Sequence, residues 1–558
     1  MLSNAVGSPP IPANRSASRI SIVFDGLSMS SQVLKMQESN YSQRIANLSP
    51  AKLELMLRQL GKSKTASANG QPISRRMSTG TTLPPASFAQ EGLWFLNQLE
   101  PDSPAYNVPL TVRLDGALNI AALERSLSEV VRRHESLRTT FRVESGSLVQ
   151  IIAPPASLKL PVVDLSGLAE AQREAEATKL AVQDAQRPFD LSREPLIRAT
   201  ILRLSEQEHF AVIAMHHIIS DAWSMSLFIQ EVAALYEPFA RGVPARLPEL
   251  PIQFADYAFW QREQLQGEAL ESQLSYWIDQ LRNLPSVTEL PAGRPRPSTL
   301  SDKGTRRFIK LSKELTSALK ELSRREGATL FMTLLAAFQV LLHSYTGQED
   351  ILIGSPIANR TRPETETLIG LFVNTLVLRG DLSGNPSFRE LITRVRETTL
   401  AADAHQSLPF DKLVKAIQPN RSVNHMPLVQ VAFTLRNNPA HVLALPALVM
   451  RPLEIDRGTV QFDLTLNLVE REQALIGSFE YRTDLFEADT IIGMWERYER
   501  ILGTMIAAPQ VTLSQLEVTI AEADRKQRDA NKKELADVRL QKVMQIKRKA
   551  FSQGAPKG

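Results

Sequence analysis

Two adjacent histidines with an aspartate close behind them are the residues of this chain best suited to chemistry. His216 and His217 end the apolar run HFAVIAMHH, and Asp221 follows in IISDAWS. An imidazole titrates near neutral pH, so a histidine with a carboxylate a short turn away suits general-base or electrostatic catalysis. The residues alone leave a structural alternative open, in which both histidines are hydrogen-bonded core groups and Asp221 caps the next helix.

The same pair is poorly suited to binding a metal. Side chains alternate across a strand, so His216 and His217 are predicted to face opposite sides. Metal-binding histidine pairs usually stand one helical turn apart, and no third ligand follows nearby. The chain has no cysteine, which excludes thiolate nucleophiles, Cys-based zinc sites and disulfides. We therefore predict a site without a metal.

A buried strand and the helix after it must position this site within a layered domain. Strands interleaved with amphipathic helices predict an α/β fold. The predicted strands are Thr111–Leu114, Phe210–Met215, Ile351–Ile353, Val373–Leu378 and Leu428–Leu435. The predicted helices are Ala121–Arg133, Glu170–Gln186, Trp223–Arg241, Lys313–Glu326 and Ser387–Ala402.

Changes in composition divide the chain into four parts. Residues 1–80 are predicted to be a flexible basic leader, a linker or docking segment with one short helix at Leu48–Leu60. The proline-rich and charged passage Leu290–Arg307 separates an N-terminal lobe, 81–290, from a C-terminal lobe, 291–522. Residues 523–558 are predicted to be a basic helical tail or linker.

Charge and hydropathy exclude several classes of protein. The chain has 558 residues and a formal charge of +4, but residues 1–80 and 524–558 each carry +7, which leaves −10 on the body. An acidic body argues against nucleic-acid binding, which depends on neutralising phosphates. The longest apolar stretch, Leu330–Leu342, is interrupted by Thr333 and Gln339, and the N-terminus lacks a signal-peptide core. We expect a cytoplasmic protein that does not contact a membrane.

HHIISDAWS, from His216 to Ser224, resembles the active-site signature of condensation domains from non-ribosomal peptide synthetases. These domains belong to the chloramphenicol acetyltransferase-like superfamily. Other segments resemble the family in the expected order over about residues 82–520. They are SFAQEGLWFLNQLEPDSPAYNVP, RHESLRTTF, LPIQFADYAFWQRE, YWIDQL, IGSPIANR, IGLFVNTLVLR and HQSLPFDKLV.

The resemblance implies a fold and a reaction. The fold would be two similar α/β lobes forming a V-shaped pseudo-dimer, with an active-site tunnel between them. The reaction would transfer an acyl or peptidyl group from a thioester on a donor carrier protein to the amine of an acceptor, forming an amide. The second motif histidine maps onto His217, whose role as general base or as an orienting and stabilising group stays open.

The resemblance also implies supporting roles around His217. The motif aspartate, Asp221, is expected to be structural, paired with Arg360 in a forked ion pair. His216 is expected to support the loop from its opposite face. Trp223 is expected to pack in the core, and Ser224 to lie near the tunnel.

Four further positions follow from the same comparison of motifs. Asn374 is a candidate for a hydrogen bond in the tunnel, or else a satisfied polar residue. Arg138 is expected to form a structural salt link, and His405 to be architectural. The family usually has glycine after the motif aspartate, whereas this chain has Ala222, whose methyl group is a candidate for narrowing the tunnel.

Partners follow from what the sequence lacks. It contains no Gly-Gly pair, so the usual phosphopantetheine attachment motif is missing. Donor and acceptor carriers are therefore expected to be other domains or chains that bring the phosphopantetheine-bound substrates, and no cofactor is expected to be bound here. The basic leader or tail is expected to contact these carriers or other synthetase modules. Two alternatives remain: a catalytically weak domain that recruits carriers or tailoring enzymes, and an ester-forming enzyme with a hydroxyl acceptor.

Overall fold

The computed structural model describes residues 72–76, 83–193, 195–284, 290, 294–298, 301–417, 427–436, 444–445, 448–453, 455–522 and 525. All of them belong to one compact unit that begins at Pro72. The predicted leader helix and the predicted tail beyond Arg525 lie outside the described residues. The limits predicted for the leader and the tail therefore stay predictions.

Helices and strands alternate through the first part of the described chain. In chain order they are α1 (Phe88–Leu99), β1 (Asn107–Gly116), α2 (Ile120–Arg133), β2 (Thr139–Glu144), β3 (Ser147–Ile152), β4 (Val162–Asp164), α3 (Glu170–Gln186), β5 (Ile197–Arg203), β6 (Glu208–His216), α4 (Ala222–Ala240), α5 (Phe254–Gln264) and α6 (Gly267–Gln280). Two 3-10 helices, Glu135–Arg138 and His217–Ile219, join α2 to β2 and β6 to α4.

The second part repeats this alternation with more strands in succession. Its elements are β7 (Gly304–Lys310), α7 (Lys313–Arg325), α8 (Leu330–Thr346), β8 (Asp350–Ile357), α9 (Pro363–Glu366), β9 (Asn374–Asp381), α10 (Phe388–Ala404), α11 (Phe410–Ile417), β10 (Val431–Arg436), β11 (Ala444–Leu445), β12 (Leu448–Leu453), β13 (Leu464–Arg471), β14 (Ala474–Arg482) and α12 (Ala488–Ala507).

The strands form two six-stranded sheets and a separate β2–β3 hairpin. The order in the first sheet is β11-β12-β1-β6-β5-β4, and the order in the second is β7-β14-β13-β10-β8-β9. Two strands from the second part, β11 and β12, therefore complete the first sheet. β12 pairs antiparallel with β1, with Leu453 opposite Thr111. The boundary predicted near residue 290 stays a prediction, and any division there must allow for this exchange of strands.

The strand that leads to the histidine pair is buried on both faces. Ile213 on β6 packs with Leu127 of α2 and Phe228 of α4 in one core. Its neighbours Phe210 and Val212 pack with Ala177 of α3 in another. Because successive side chains point to opposite faces, a strand covered on both sides must be apolar throughout, which explains the run FAVIAM.

The second sheet has its own core. Phe433 of β10 and Phe479 of β14 lie in one cluster with Phe338 of α8 and Tyr498 of α12, and all four are fully buried. The predicted α/β class is confirmed, and every predicted helix and strand of the body corresponds to an observed element. No single helix among the described residues is long and apolar enough to cross a membrane. Helices α7 and α8 taken together reach the length and apolar composition of a membrane span, but the chain bends by 104° between them.

Candidate active site

The histidine pair lies where β6 gives way to α4. β6 ends at His216, the 3-10 helix His217–Ile219 forms one tight turn, and Asp221 is the N-cap of α4. The turn is closed by the Ser220 N–H, which donates to the His217 carbonyl at 3.2 Å. The strand therefore stops before His217, and the turn, rather than strand alternation, sets the direction of the His217 side chain.

His217 is half-buried and is held at two atoms. Its backbone N–H donates to the Tyr106 carbonyl at 2.8 Å. Its Nδ1 lies 2.7 Å from the Ser220 carbonyl oxygen. Since a carbonyl oxygen only accepts, Nδ1 must carry a proton. In the neutral imidazole, Nε2 then holds a lone pair that can accept a proton.

His216 has a different environment, in which it stays neutral. Its side chain is 3% exposed, and its ring meets Phe189 edge to face at 6.2 Å between centroids. Its Nδ1 accepts a hydrogen bond from the Ile218 N–H at 3.1 Å, which ties the strand end to the turn. Burial, and to a smaller extent the neighbouring His217, lowers the pKa of His216 to about 3. His216 therefore supports the turn as an uncharged hydrogen-bond acceptor.

Asp221 is buried, and four donors surround its carboxylate. Oδ1 accepts from the Ser224 N–H at 2.8 Å and from the Ser224 hydroxyl at 2.7 Å. Oδ2 accepts from the Phe372 N–H at 3.0 Å, and Arg360 Nη2 lies 3.3 Å from Oδ1. The positive end of the α4 dipole favours the negative charge at this position. None of these contacts is with His217, whose Nδ1 is held by Ser220 instead.

Arg360 joins the motif to the segment before β9. Its side chain is 2% exposed, and the contact with Asp221 is made through Nη2 alone, so the forked geometry predicted for the pair is absent. Nη2 also donates to the Ser224 hydroxyl at 3.0 Å, and Nη1 donates to the carbonyls of Thr365 and Leu368. Those carbonyls take the place of the second carboxylate contact. Burial lowers the pKa of Arg360, and Asp221 opposes that shift.

Backbone groups of residues 369–372 complete the network. The Gly370 N–H donates to Ser224 Oγ at 3.0 Å, and Ser224 Oγ lies 2.9 Å from the Gly370 carbonyl. A Cβ at Gly370 would meet the Phe254 ring at 2.0 Å, so only glycine allows this approach. Sequence reasoning missed Gly370, although its place in IGLFVNTLVLR is a signal that could have been used.

Two more supporting residues went unrecognised in the sequence. Gln90 of α1 is buried and donates from Nε2 to the Ile218 carbonyl at 3.1 Å, inside the histidine turn. His134 accepts from the Ile369 N–H at 3.3 Å through Nδ1, so its Nε2 carries a proton and donates to Glu231 at 2.9 Å. Burial lowers the pKa of His134. Both belong to segments that resemble the family, but neither residue type alone signals this role.

A family model described as Condensation domain matches residues 81–527. The chain belongs to the condensation domain family. A linear gramicidin synthase protein of Brevibacillus parabrevis is 48% identical over 445 residues, which is 79% of this chain and 6% of that protein. Phosphinothricin tripeptide synthetase PhsC of Streptomyces viridochromogenes is 40% identical over 490 residues, 88% of this chain and 45% of that protein. The chain therefore spans less than half the length of either relative.

Solved structures agree with this assignment. The X-domain from teicoplanin biosynthesis matches at 28% identity and a TM-score of 0.73, covering 80% of this chain and 99% of that one. The same X-domain in complex with OxyB matches with a TM-score of 0.72, covering 80% and 98%. The resemblance inferred from HHIISDAWS is confirmed, and so is the two-lobed chloramphenicol acetyltransferase-like fold. The tunnel between the lobes stays a prediction.

The structure corrects the expectation for Trp223 and gives the contacts of Ser224 and Asn374. Trp223 is half-buried rather than in the core, and its Nε1–H donates to the Glu366 carbonyl at 3.0 Å. Ser224 is buried and is hydrogen-bonded to Asp221 and Gly370, and its expected position near a tunnel stays a prediction. Asn374 donates to the carbonyls of Gln406 and Leu408 at 2.9 and 2.8 Å and accepts from the Phe410 N–H, which is the expected alternative of a satisfied polar residue.

For Ala222 the structure gives the backbone conformation and exposure, and for His405 it gives the contacts. Ala222 is exposed and is the first residue of α4, and it is not among the residues with positive φ, so the unusual torsions that glycine permits are not needed here. Whether its methyl group narrows a tunnel stays a prediction. His405 stacks on Tyr276 at 3.7 Å between ring centroids and accepts from Trp277 through its carbonyl, as an architectural residue would.

Arg138 and the metal prediction complete the comparison. Arg138 donates to the Ala153 carbonyl and lies 3.8 Å from the Glu135 carboxylate, both in the first part of the chain. Among the residues that the structure describes, no group of three or more histidine, aspartate or glutamate side chains is placed to hold a metal ion.

Proposed function

We propose that this chain is a condensation enzyme that transfers an acyl or peptidyl group from a carrier-bound thioester to an acceptor amine. The observation that carries the proposal is the contact between His217 Nδ1 and a backbone carbonyl. Nδ1 is committed to the Ser220 carbonyl at 2.7 Å, which leaves a lone pair on Nε2 of a half-buried ring. A positioned base of this kind typically contributes a rate factor of about 100 to 10,000.

The reaction balances with His217 as a proton carrier. The acceptor nitrogen attacks the thioester carbonyl, so that a C–N bond forms and the C–S bond breaks. Nε2 takes the proton that the nitrogen loses and returns it to the departing thiolate. The products are an amide on the acceptor and a free thiol on the donor, and His217 ends in its starting protonation state.

Asp221 and Arg360 have positioning roles in this proposal. All four described contacts of the Asp221 carboxylate are to Ser224, Phe372 and Arg360, so it is not a relay partner of His217. It holds the start of α4 against residues 360–372 instead. The turn carrying His217 is thereby fixed relative to the second part of the chain, and the direction of Nε2 depends on that junction.

The substrates are proposed to arrive on phosphopantetheine arms of separate donor and acceptor carriers. The family is found in large synthases such as the linear gramicidin synthase protein, of which this chain matches only 6%. Other parts of such assemblies would then supply the carriers. The basic leader and tail are proposed contacts for them, since an acidic body would repel acidic partners.

The test is acyl transfer followed by intact-mass measurement on both carriers. A donor carrier loaded with an acyl group and an acceptor carrier loaded with an amino acid would be mixed with wild type or His217→Ala. His343→Ala is a matched control, because His343 is also half-buried and also binds a backbone carbonyl through Nδ1, that of Gln348 at 2.8 Å. We expect transfer to fall at least about 100-fold in His217→Ala and to be unchanged in the control.

Two outcomes would overturn this function. Wild-type rates in His217→Ala would show that Nε2 takes no part in proton transfer. No transfer by wild type across several donors, with carrier binding intact, would favour a recruiting domain. The match to an X-domain that has been solved in complex with OxyB is the observation behind that second candidate. A hydroxyl-bearing acceptor run in parallel distinguishes ester from amide formation.

A further inference from the structure

A polar cavity lies between α8, β9 and α10 in the second part of the chain. Its volume is about 280 Å³. Two apolar side chains of α10, Leu391 and Val395, form part of its wall. The remaining lining groups are polar or charged: Gln339, Arg379, Asp381, Arg394, Glu397 and Thr398. Pockets for drug-sized ligands usually hold about 300 to 1,000 Å³, so this one suits a smaller molecule.

One lining residue of this cavity is a buried amide whose oxygen lacks a partner among the described residues. Gln339 interrupts the apolar helix α8, where every residue from 332 to 342 is buried, and it is itself 1% exposed. Its Oε1 is buried and has no hydrogen-bond partner among the described residues. A Cβ at Gly380 would come within 2.5 Å of Gln339 Nε2, so glycine leaves the amide room. An unpaired buried amide destabilises the folded chain, and a ligand that pairs with it would remove that cost.

One arginine of the lining is already saturated. Arg379 forks onto Asp350 at 2.9 and 2.6 Å and donates its other N–H groups to backbone carbonyls of residues 280–283. It therefore has no donor left for a ligand, and its charge is balanced by Asp350.

Two opposite charges of α10 also line the cavity. Arg394 uses Nη1 for the carbonyls of Asp381 and Ser383 and for the Asp381 carboxylate, which leaves Nε and Nη2 without partners in the described part of the chain. Glu397, three residues later, is exposed and also lines the cavity. Residues at this spacing on a helix usually pair with each other. Here the cation and the anion instead both line the cavity.

We propose that this cavity binds a free α-amino acid with an aliphatic side chain. The carboxylate of the ligand pairs with the guanidinium of Arg394, and its ammonium pairs with Glu397 and with Oε1 of Gln339. The side chain packs against Leu391 and Val395. The ligand is thereby a single small zwitterion whose three groups each meet a complementary part of the lining. The carboxylate of Asp381, which also lines the cavity, stays paired with Nη1 of Arg394.

The cavity is separate from the histidine turn. β9 starts at Asn374, two residues after Phe372 donates to Asp221, whereas Asp381 at its far end lines the cavity. At roughly 3.3 Å per residue, the two ends of this strand are on the order of 20 Å apart. The proposal therefore goes beyond acyl transfer at His217 and does not depend on it.

Calorimetric titration of the full chain with L-leucine tests the proposal. Leucinamide lacks the carboxylate and 4-methylpentanoate lacks the amine, so each keeps the side chain and loses one charge. We expect leucine to bind and each analogue to bind at least about tenfold more weakly, as the loss of a charged hydrogen bond predicts. Glu397→Gln and Gln339→Met should each weaken leucine binding to a similar extent. Methionine at 339 should fold at least as well as wild type, because it removes an unpaired buried amide.

Two controls locate the binding event. Glu271→Gln, which changes an exposed carboxylate of α6 outside the cavity, should leave the affinity unchanged. His217→Ala should also leave it unchanged, and a loss there would place leucine at the histidine turn instead. Absence of binding at millimolar leucine, or equal affinity in Glu397→Gln and wild type, would refute the proposal. The cavity would then hold only solvent.

Discussion

Neutralising Asp221 without removing its helix cap is a direct test of the buried network. Asparagine caps a helix as well as aspartate does, so Asp221→Asn keeps an oxygen for the Ser224 N–H at the start of α4. It removes the negative charge beside Arg360 and replaces Oδ2 with the NH2 group of an amide. That group would face the Phe372 N–H, now 3.0 Å from Oδ2, as donor against donor.

The magnitude follows from burial. The side chains of Asp221 and Arg360 are 3% and 2% exposed, so solvent does not screen the charge that is left behind. Removing one partner of a buried pair costs about 3 to 5 kcal/mol. We therefore expect the free energy of unfolding of Asp221→Asn to fall by about that amount, measured as the shift of the urea midpoint with an unchanged slope.

A matched exposed pair supplies the control. Asp279 and Arg282 lie at 2.5 Å on the surface, with side chains 62% and 69% exposed, so Asp279→Asn should cost about 0 to 1 kcal/mol. Adding Arg360→Met to Asp221→Asn should cost less than the sum of the two single changes, because the stranded charge is gone. If the free energies of unfolding of Asp221→Asn and Asp279→Asn differ by less than about 0.5 kcal/mol, the Asp221 carboxylate does not stabilise this junction as proposed.

Two further predictions concern α11 and the start of α4. Burial, with a smaller contribution from Glu91, raises the pKa of Asp411 to about 6 from 3.8. The folded state therefore favours the protonated carboxyl, so the contribution of Asp411 to stability is fully present below pH 3.8 and is lost as the pH rises through 6. Asp411→Asn should therefore be more stable than wild type by up to about 3 kcal/mol at pH 8 and nearly equal to it at pH below 4, which urea unfolding at both pH values would check. Ala222→Gly should lower stability by about 0.5 to 1 kcal/mol without raising the acyl-transfer rate, because Ala222 is exposed at the start of a helix; a large gain in rate would favour the tunnel-narrowing hypothesis.

Local patterns made the strand, turn and helix around His217 predictable. The apolar run before His216 and the capping type of Asp221 mark the end of one element and the start of the next. The helix predicted at Trp223–Arg241 is observed at Ala222–Ala240. These features depend on neighbours in sequence, where propensity and periodicity are informative.

Contacts between distant segments could not be predicted in the same way. Nothing local to Leu448–Leu453 shows that this strand pairs with β1, more than 300 residues earlier. Gly370 and Ser224 meet through backbone groups, which leave no side-chain signature. Tryptophan is a residue type typical of a core, so nothing in the sequence indicated that the Trp223 indole would be half-buried. Its partner, the Glu366 carbonyl, lies 143 residues away in the chain.

The spacing between His217 and Asp221 can now be given a physical reason. Nδ1 of His217 needs an acceptor, and the Ser220 carbonyl, one residue before Asp221, supplies it at 2.7 Å within the same tight turn. Asp221 then starts α4 and turns its carboxylate toward Arg360 and Phe372. A backbone carbonyl is uncharged, so it fixes the tautomer without adding a negative charge beside the imidazole. The carboxylate's charge is used at the junction instead, where a buried arginine requires it. The two residues therefore share one motif because the turn that orients the imidazole also begins the helix that joins the two parts of the chain.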